Sequence, residues 1–140
     1  MENNVIKIDP LVSVNGVPFG ARRAEVWEHF GTPDCSFKKL VDDAIETDDY
    51  GAFHIYYDDG YRFEAMEIIA YDEVEVFYGG DRLPESYSEV LDYFIDKYPD
   101  TDEDDEGFIT EEGSVGVYMD NDEDEIDTIL FGRKDYYLDN

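Results

Sequence analysis

Asp102, Asp104, Glu106 and Gly107 fall at positions 1, 3, 5 and 6 of the calcium-binding loop register. Alternate carboxylates there supply the hard oxygen ligands that calcium takes, and the glycine makes the sharp turn. Position 12 is then Gly113, where a bidentate Glu is needed; counting from Asp100 instead puts Glu111 at 12 but Asp105 where the glycine belongs. Neither register meets both demands. Asp102, Asp104 and Glu106 therefore read as a weak calcium candidate, and no dedicated metal site or cofactor is expected. Asp120, Asp122 and Asp124 repeat the alternate spacing without a glycine, which reads as a crowded polar turn.

Nucleophilic chemistry has less to work with. Cys35 is the single cysteine, so there is no intramolecular disulfide and no cysteine-rich zinc motif. His29 and His54 could serve it as bases only if the fold assembled all three, and the patterning puts His29 on a helix and Cys35 in a loop beside Pro33. No nucleophile elbow, paired-histidine zinc motif, phosphate loop or dinucleotide fingerprint occurs. The expectation is a non-enzymatic protein with no catalytic residues.

Charge says more. The chain has 38 acidic and 10 basic residues, a formal net charge of −28, and 14 acids with no base between Asp100 and Asp127. Such a field repels nucleic acid and anionic membranes and attracts cations. The partner expected is a basic protein, such as a nuclease toxin, although a salt-adapted lineage would show the same bias. With 9 Phe, 12 Tyr and one Trp spread through its 140 residues, the chain has the apolar material for one folded domain spanning 1–140. No apolar run reaches the ~18 residues of a membrane span, and the first ten residues do not read as a leader, so a cytoplasmic location is expected.

The elements that must position these acids occur twice. Ser86 with Glu89 forms a capping box, and Tyr87, Val90, Leu91, Phe94, Ile95 and Tyr98 follow at helical spacing before Pro99. EVLDYF at 89–94 matches EVWEHF at 25–30, which places a first helix at Arg22 to Phe30, closed by Gly31. Segments 53–69 and 115–131 alternate around turn-rich centres and read as hairpins. The predicted fold class is α+β: two tandem strand-helix-hairpin repeats, about 12–69 and 76–131, with two helices on one face of an antiparallel sheet of about six strands. Chance likeness of two such units would reproduce part of the pattern.

Strict alternation points Phe53, Ile55, Tyr57, Phe63, Ala65, Val115, Val117, Met119, Ile126 and Thr128 at the helices. The opposite face carries His54, Tyr56, Glu64, Glu75, Phe77, Tyr118 and Asp127. Rings for contact area and acids for charge make it a candidate binding surface, with cover by a loop or a second copy as the alternative. Tyr56, Phe77 and Tyr118 are expected to anchor a partner; Glu64, Glu75, Asp127 and the acids of 102–106 (Asp102, Glu103, Asp104, Asp105, Glu106) and 122–125 (Asp122, Glu123, Asp124, Glu125) are expected to steer it. Tyr136 and Tyr137 are expected to pack back onto the domain, with membership of the interface as the alternative.

The stretch NGVPFGARRAEVWEHFGTP, residues 15–33, with its acidic, aromatic-rich remainder, resembles bacterial immunity proteins of toxin systems. The two-repeat plan is similar to that of the β-lactamase inhibitory protein and of the small outer-membrane assembly lipoprotein, although the lipoprotein signal and the inhibitor's disulfides are missing. What the resemblance implies is a binding module whose open sheet face meets another protein. A DNA mimic acting on a nucleic-acid-binding protein and a calcium-responsive domain are the competing readings.

Overall fold

A computed structural model describes residues 4–120 and 123–138. In chain order the elements are β1 (Val5–Asp9), β2 (Ser13–Val14), β3 (Val17–Pro18), α1 (Arg23–Phe30), β4 (Cys35–Phe37), β5 (Thr47–Asp49), β6 (Phe53–Tyr57) and β7 (Phe63–Ile68). A 3-10 turn (Tyr71–Glu73) leads to β8 (Glu75–Tyr78), β9 (Asp81–Arg82), α2 (Tyr87–Lys97), β10 (Asp102–Glu103), β11 (Gly107–Thr110), β12 (Val115–Asp120) and β13 (Glu125–Gly132).

The expected α+β sheet of about six strands is therefore corrected. Among the described residues there are thirteen strands in two sheets and only two α-helices, a mostly β architecture. The small sheet has the order β3-β2-β1-β8-β9, with β1 and β8 parallel, and the large one β10-β11-β12-β13-β7-β6-β5-β4, antiparallel throughout. The extra strands are pieces of two to five residues, several of them acidic, that carry too few alternating positions to show in the sequence. Each half of the chain contributes four consecutive strands to the large sheet, and the halves meet where β7 pairs with β13.

Both helices are tied to a hairpin at their first turn. Ser86 caps α2: its hydroxyl oxygen accepts the Glu89 N–H and donates to the Glu89 carboxylate. Tyr87 N–H then reaches Asp124 O (3.0 Å) in the β12–β13 turn, as Arg23 N–H at the start of α1 reaches Tyr61 O (3.2 Å) in the β6–β7 turn. Val26 and Phe30 of α1 and Tyr87, Val90 and Phe94 of α2 are buried. They join Ile6, Ile8, Val14 and Tyr78 of the small sheet and Phe53, Ile55, Val115 and Val117 of the large sheet in one core.

Two bulges alter which side chains reach that core. Tyr56 pairs with Ala65 but Tyr57 with Phe63, leaving Glu64 as an extra residue; Tyr118 pairs with Thr128 but Met119 with Ile126, leaving Asp127 extra. An extra residue reverses the alternation beyond it. Phe63 and Ile126 keep the core side, as expected. Beyond the bulges Met66, Ile68, Ile129 and Phe131 take it over, while Ala65 and Leu130 pack in a second cluster with Tyr56. The inward placement of Ala65 and Thr128 expected from strict alternation is corrected accordingly.

Candidate functional site

The outer face of the large sheet is partly closed by the chain itself. After β13, residues 133–138 turn back so that Tyr136 and Tyr137 lie on Tyr56, Ala65 and Leu130. The fit is close because two strand positions are glycines: a Cβ on Gly116 would sit 1.9 Å from the Tyr137 hydroxyl, and one on Gly132 would sit 2.8 Å from Tyr136 Cβ. Arg133 Nη2 anchors the segment on Glu64 Oε1 at 3.1 Å.

Tyr56 is consequently only 8% exposed. Its hydroxyl donates to Glu67, and the Lys39 ammonium lies 3.9 Å from its ring centre. Burial, then Glu67, pushes its pKa up. Tyr56 and Glu64 are thus held in the protein's own packing. Tyr118, 54% exposed, keeps its ring open to solvent. Glu75 and Phe77 belong to the small sheet, so the expected surface is divided between two sheets.

The acids at 102–106 form a hairpin edge. Asp102 and Glu103 pair with Ile109 and Phe108, the Glu103 carboxylate accepts the Tyr87 hydroxyl, and Asp104 Oδ1 accepts the N–H groups of Glu106 and Gly107. Asp105 and Glu106 are exposed. As the side chains stand, no three His, Cys, Asp or Glu groups among the described residues close around one metal position. Asp122 lies outside the described residues.

What the fold does bring together is an acidic cleft of about 730 Å³ between the 70–76 segment and the β12–β13 turn. Asp72, Glu73 and Glu75 stand on one wall and Asp120, Glu123, Asp124, Glu125 and Asp127 on the other. Ile69, Val74, Leu83 and Ile126 supply apolar lining, and Arg82 is the single cation among the described lining residues, 3.6 Å from Glu75. Glu125 registers the crowding: Glu123 foremost, then partial desolvation, Asp120 on the same wall and, last, Asp72 from across the cleft raise its pKa. Asp124 also holds the architecture, since its carboxylate accepts Ser88 N–H at 2.9 Å and Ser88 Oγ at 2.8 Å.

Of the expected steering residues, the cleft unites Glu75, Asp124 and Asp127. It also holds Glu123 and Glu125, which belong to the expected steering run 122–125, and adds Asp72, Glu73 and Asp120, which the sequence reading did not assign to the surface. The run of acids at 120–127 was visible in the sequence, but its apposition to 72–75 depends on the parallel β1–β8 pairing and on the 3-10 turn, for which no local signal exists.

A second polar centre is buried. The Asp48 side chain, fully shielded from solvent, accepts from Arg23 Nη2 (2.5 Å) and Nε (3.2 Å), Trp27 Nε1 (2.6 Å), Tyr57 Oη (2.7 Å) and Ser36 Oγ (2.8 Å). The Arg23 guanidinium lies within 6 Å of the Trp27, Tyr57 and Tyr61 ring centres. Burial works to raise the Asp48 pKa, but the donated hydrogen bonds, Arg23 first, outweigh it and hold the pKa below its ordinary value. With its carboxylate saturated by donors, the centre fastens α1 to β5 and leaves no group poised to react.

Cys35, Asp49 and His54 sit side by side on β4, β5 and β6, with the carboxylate between thiol and imidazole. Partial desolvation, then Asp49 and Asp34, pushes the thiol pKa up. That order is the wrong one for an imidazole-activated nucleophile. No helix among the described residues is long and apolar enough to cross a membrane. Compared with family models, curated proteins and solved structures, the chain matches none.

Proposed function

We propose that this chain is a non-enzymatic, cytoplasmic binding module that neutralises a basic protein, in the manner of an immunity protein acting on a toxin such as a nuclease. The observation that carries the reading is the cleft, where carboxylates from two walls crowd together with one compensating Arg. Crowding of this kind costs the folded state repulsion energy, and a cationic surface that docks there relieves it. The exposed Tyr118 ring, on β12, supplies rigid contact area. The immunity-type stretch at 15–33 supports the same reading. The architectural likenesses lend it nothing, because they rested on the two-helix, six-strand plan that thirteen strands replace.

The test is association with the basic proteins encoded beside the gene for this chain. The expected result is tight, salt-sensitive binding that abolishes their activity and weakens when Glu73, Glu75 and Glu125 are changed to Gln. Absence of binding at low salt, or binding indifferent to the three changes, contradicts it.

A further inference from the structure

The outer face of the large sheet changes character at its β10–β13 end. Phe108, Val115 and Val117 point into the core, so alternation turns Ile109 on β11 and Gly116 and Tyr118 on β12 outward. Ile109 is opposite Gly116, and Tyr118 is opposite Gly107. Across the β11–β12 pair each therefore faces a residue without a side chain, and they stay 40% and 54% exposed. The Tyr137 hydroxyl occupies the place over Gly116, and Leu138, next along the chain, is 61% exposed.

Acids border these apolar groups. Asp102 on the edge strand β10 is the other partner of Ile109. Exposed Asp105 and Glu106 form the turn that leads into Gly107, and exposed Asp127 precedes Thr128, the partner of Tyr118 on β13. No base occurs between Asp100 and Asp127. Exposed apolar residues scattered singly need no explanation, but an apolar centre inside a charged rim is the layout of a protein–protein contact.

We propose that Ile109, Tyr118 and Leu138, around the Tyr137 plug, form an anchoring patch for a large aliphatic or aromatic side chain that the basic partner presents between Lys or Arg residues. The rim selects this occupant by charge. A second copy of the chain, at net −28, or an anionic lipid surface would bring like charge against it.

The patch rests on the reading that the partner is basic, and it extends that reading. It is continuous with the cleft, since Asp127 borders both and Asp120 of the cleft wall follows Tyr118 on the same strand. Charge in the cleft governs how fast a partner arrives, and apolar burial at the patch governs how long it stays.

The experiment titrates two synthetic peptides of equal length and charge, one alternating Lys with Leu and the other Lys with Ser, into the full-length chain by calorimetry. The Lys–Leu peptide is expected to bind at least ~10-fold tighter, within what burial of large apolar side chains supplies. In the double variant Ile109→Ser, Tyr118→Ser that preference disappears. In Leu40→Ser, Val41→Ser, which removes apolar side chains more exposed still but far from any patch residue in sequence, it is kept. All four side chains are exposed, and thermal melting confirms that both variants fold. No Lys–Leu preference in the wild type, a preference that survives Ile109→Ser, Tyr118→Ser, or one lost equally in both variants overturns the proposal. Failure of the basic proteins encoded beside the gene to bind contradicts the proposed function and leaves this ratio unmoved, so the two failures are distinct.

Discussion

Arg23 on α1 and Asp48 on β5 form a two-pronged ion pair in which Asp48 is fully buried and three further donors complete its shell. Removing one partner of such a pair leaves the other uncompensated, at a cost of about 3–5 kcal/mol. Asp48→Asn is expected to lose about that much in urea unfolding. Tyr57→Phe, which deletes one of five donors, is expected to lose about 1 kcal/mol.

The same pair sets an acid limb. A carboxyl held below its unfolded value, about 3.9 for Asp, stabilises the fold above that pH, and the stabilisation is lost as pH falls through the depressed folded value. Glu125 works the other way: its raised pKa means that repulsion eases as pH falls through it. Stability is therefore expected to hold or rise on mild acidification and to drop steeply only below pH ~4. In Asp48→Asn the steep drop becomes shallower. Thermal melts across this range check both.

The C-terminal segment depends on absent side chains. Gly116→Ala puts a methyl where the Tyr137 hydroxyl lies, and overpacking of this kind costs about 1–3 kcal/mol. It is expected to lift residues 133–138 off the sheet, seen as faster hydrogen exchange and greater Tyr137 exposure, with the main core intact. Gly107→Ala is expected to be worse, because its Cβ would lie 1.8 Å from Val117 O and a backbone atom cannot move aside alone.

Ionisation of the phenols provides a check on burial. Tyr136 is pushed up to about 12 by burial and the nearby Glu64 and Glu67 carboxylates, and burial pushes Tyr56, Tyr57 and Tyr78 higher. Stability from these groups is present below the unfolded phenol value, about 10, and is lost as pH rises through the folded values. Ultraviolet titration is expected to show part of the tyrosines ionising early and the rest only together with unfolding.

These pairs also show how far the sequence reached. α2 was legible because Ser86, Glu89 and the apolar positions Tyr87, Val90 and Phe94 speak locally, and the β6–β7 and β12–β13 hairpins because alternation runs up to their turns. Alternation misled beyond Glu64 and Asp127, where one extra residue sends Ala65 and Leu130 to the outer face. Nothing local announces a bulge at an acidic residue, nor that Val5–Asp9 pairs in parallel with Glu75–Tyr78. Asp48 was equally hidden: in the acidic run 46–49 it reads as surface, and only the long-range approach of Arg23 and Trp27 makes it a core residue.

The central claim is that charge is concentrated for use in the cleft and is not merely spread over the molecule. Its most direct measurement is the association rate with a cationic partner for two variants of equal net charge. One changes Glu73, Glu75 and Glu125 to Gln in the cleft; the other changes Glu111 and Glu112 to Gln and Asp92 to Asn elsewhere on the exposed surface. The account predicts a fall of about tenfold or more at low salt for the cleft variant, within the range of electrostatic steering, and little change for the other. Equal slowing of both would show that only total charge matters and would contradict the account.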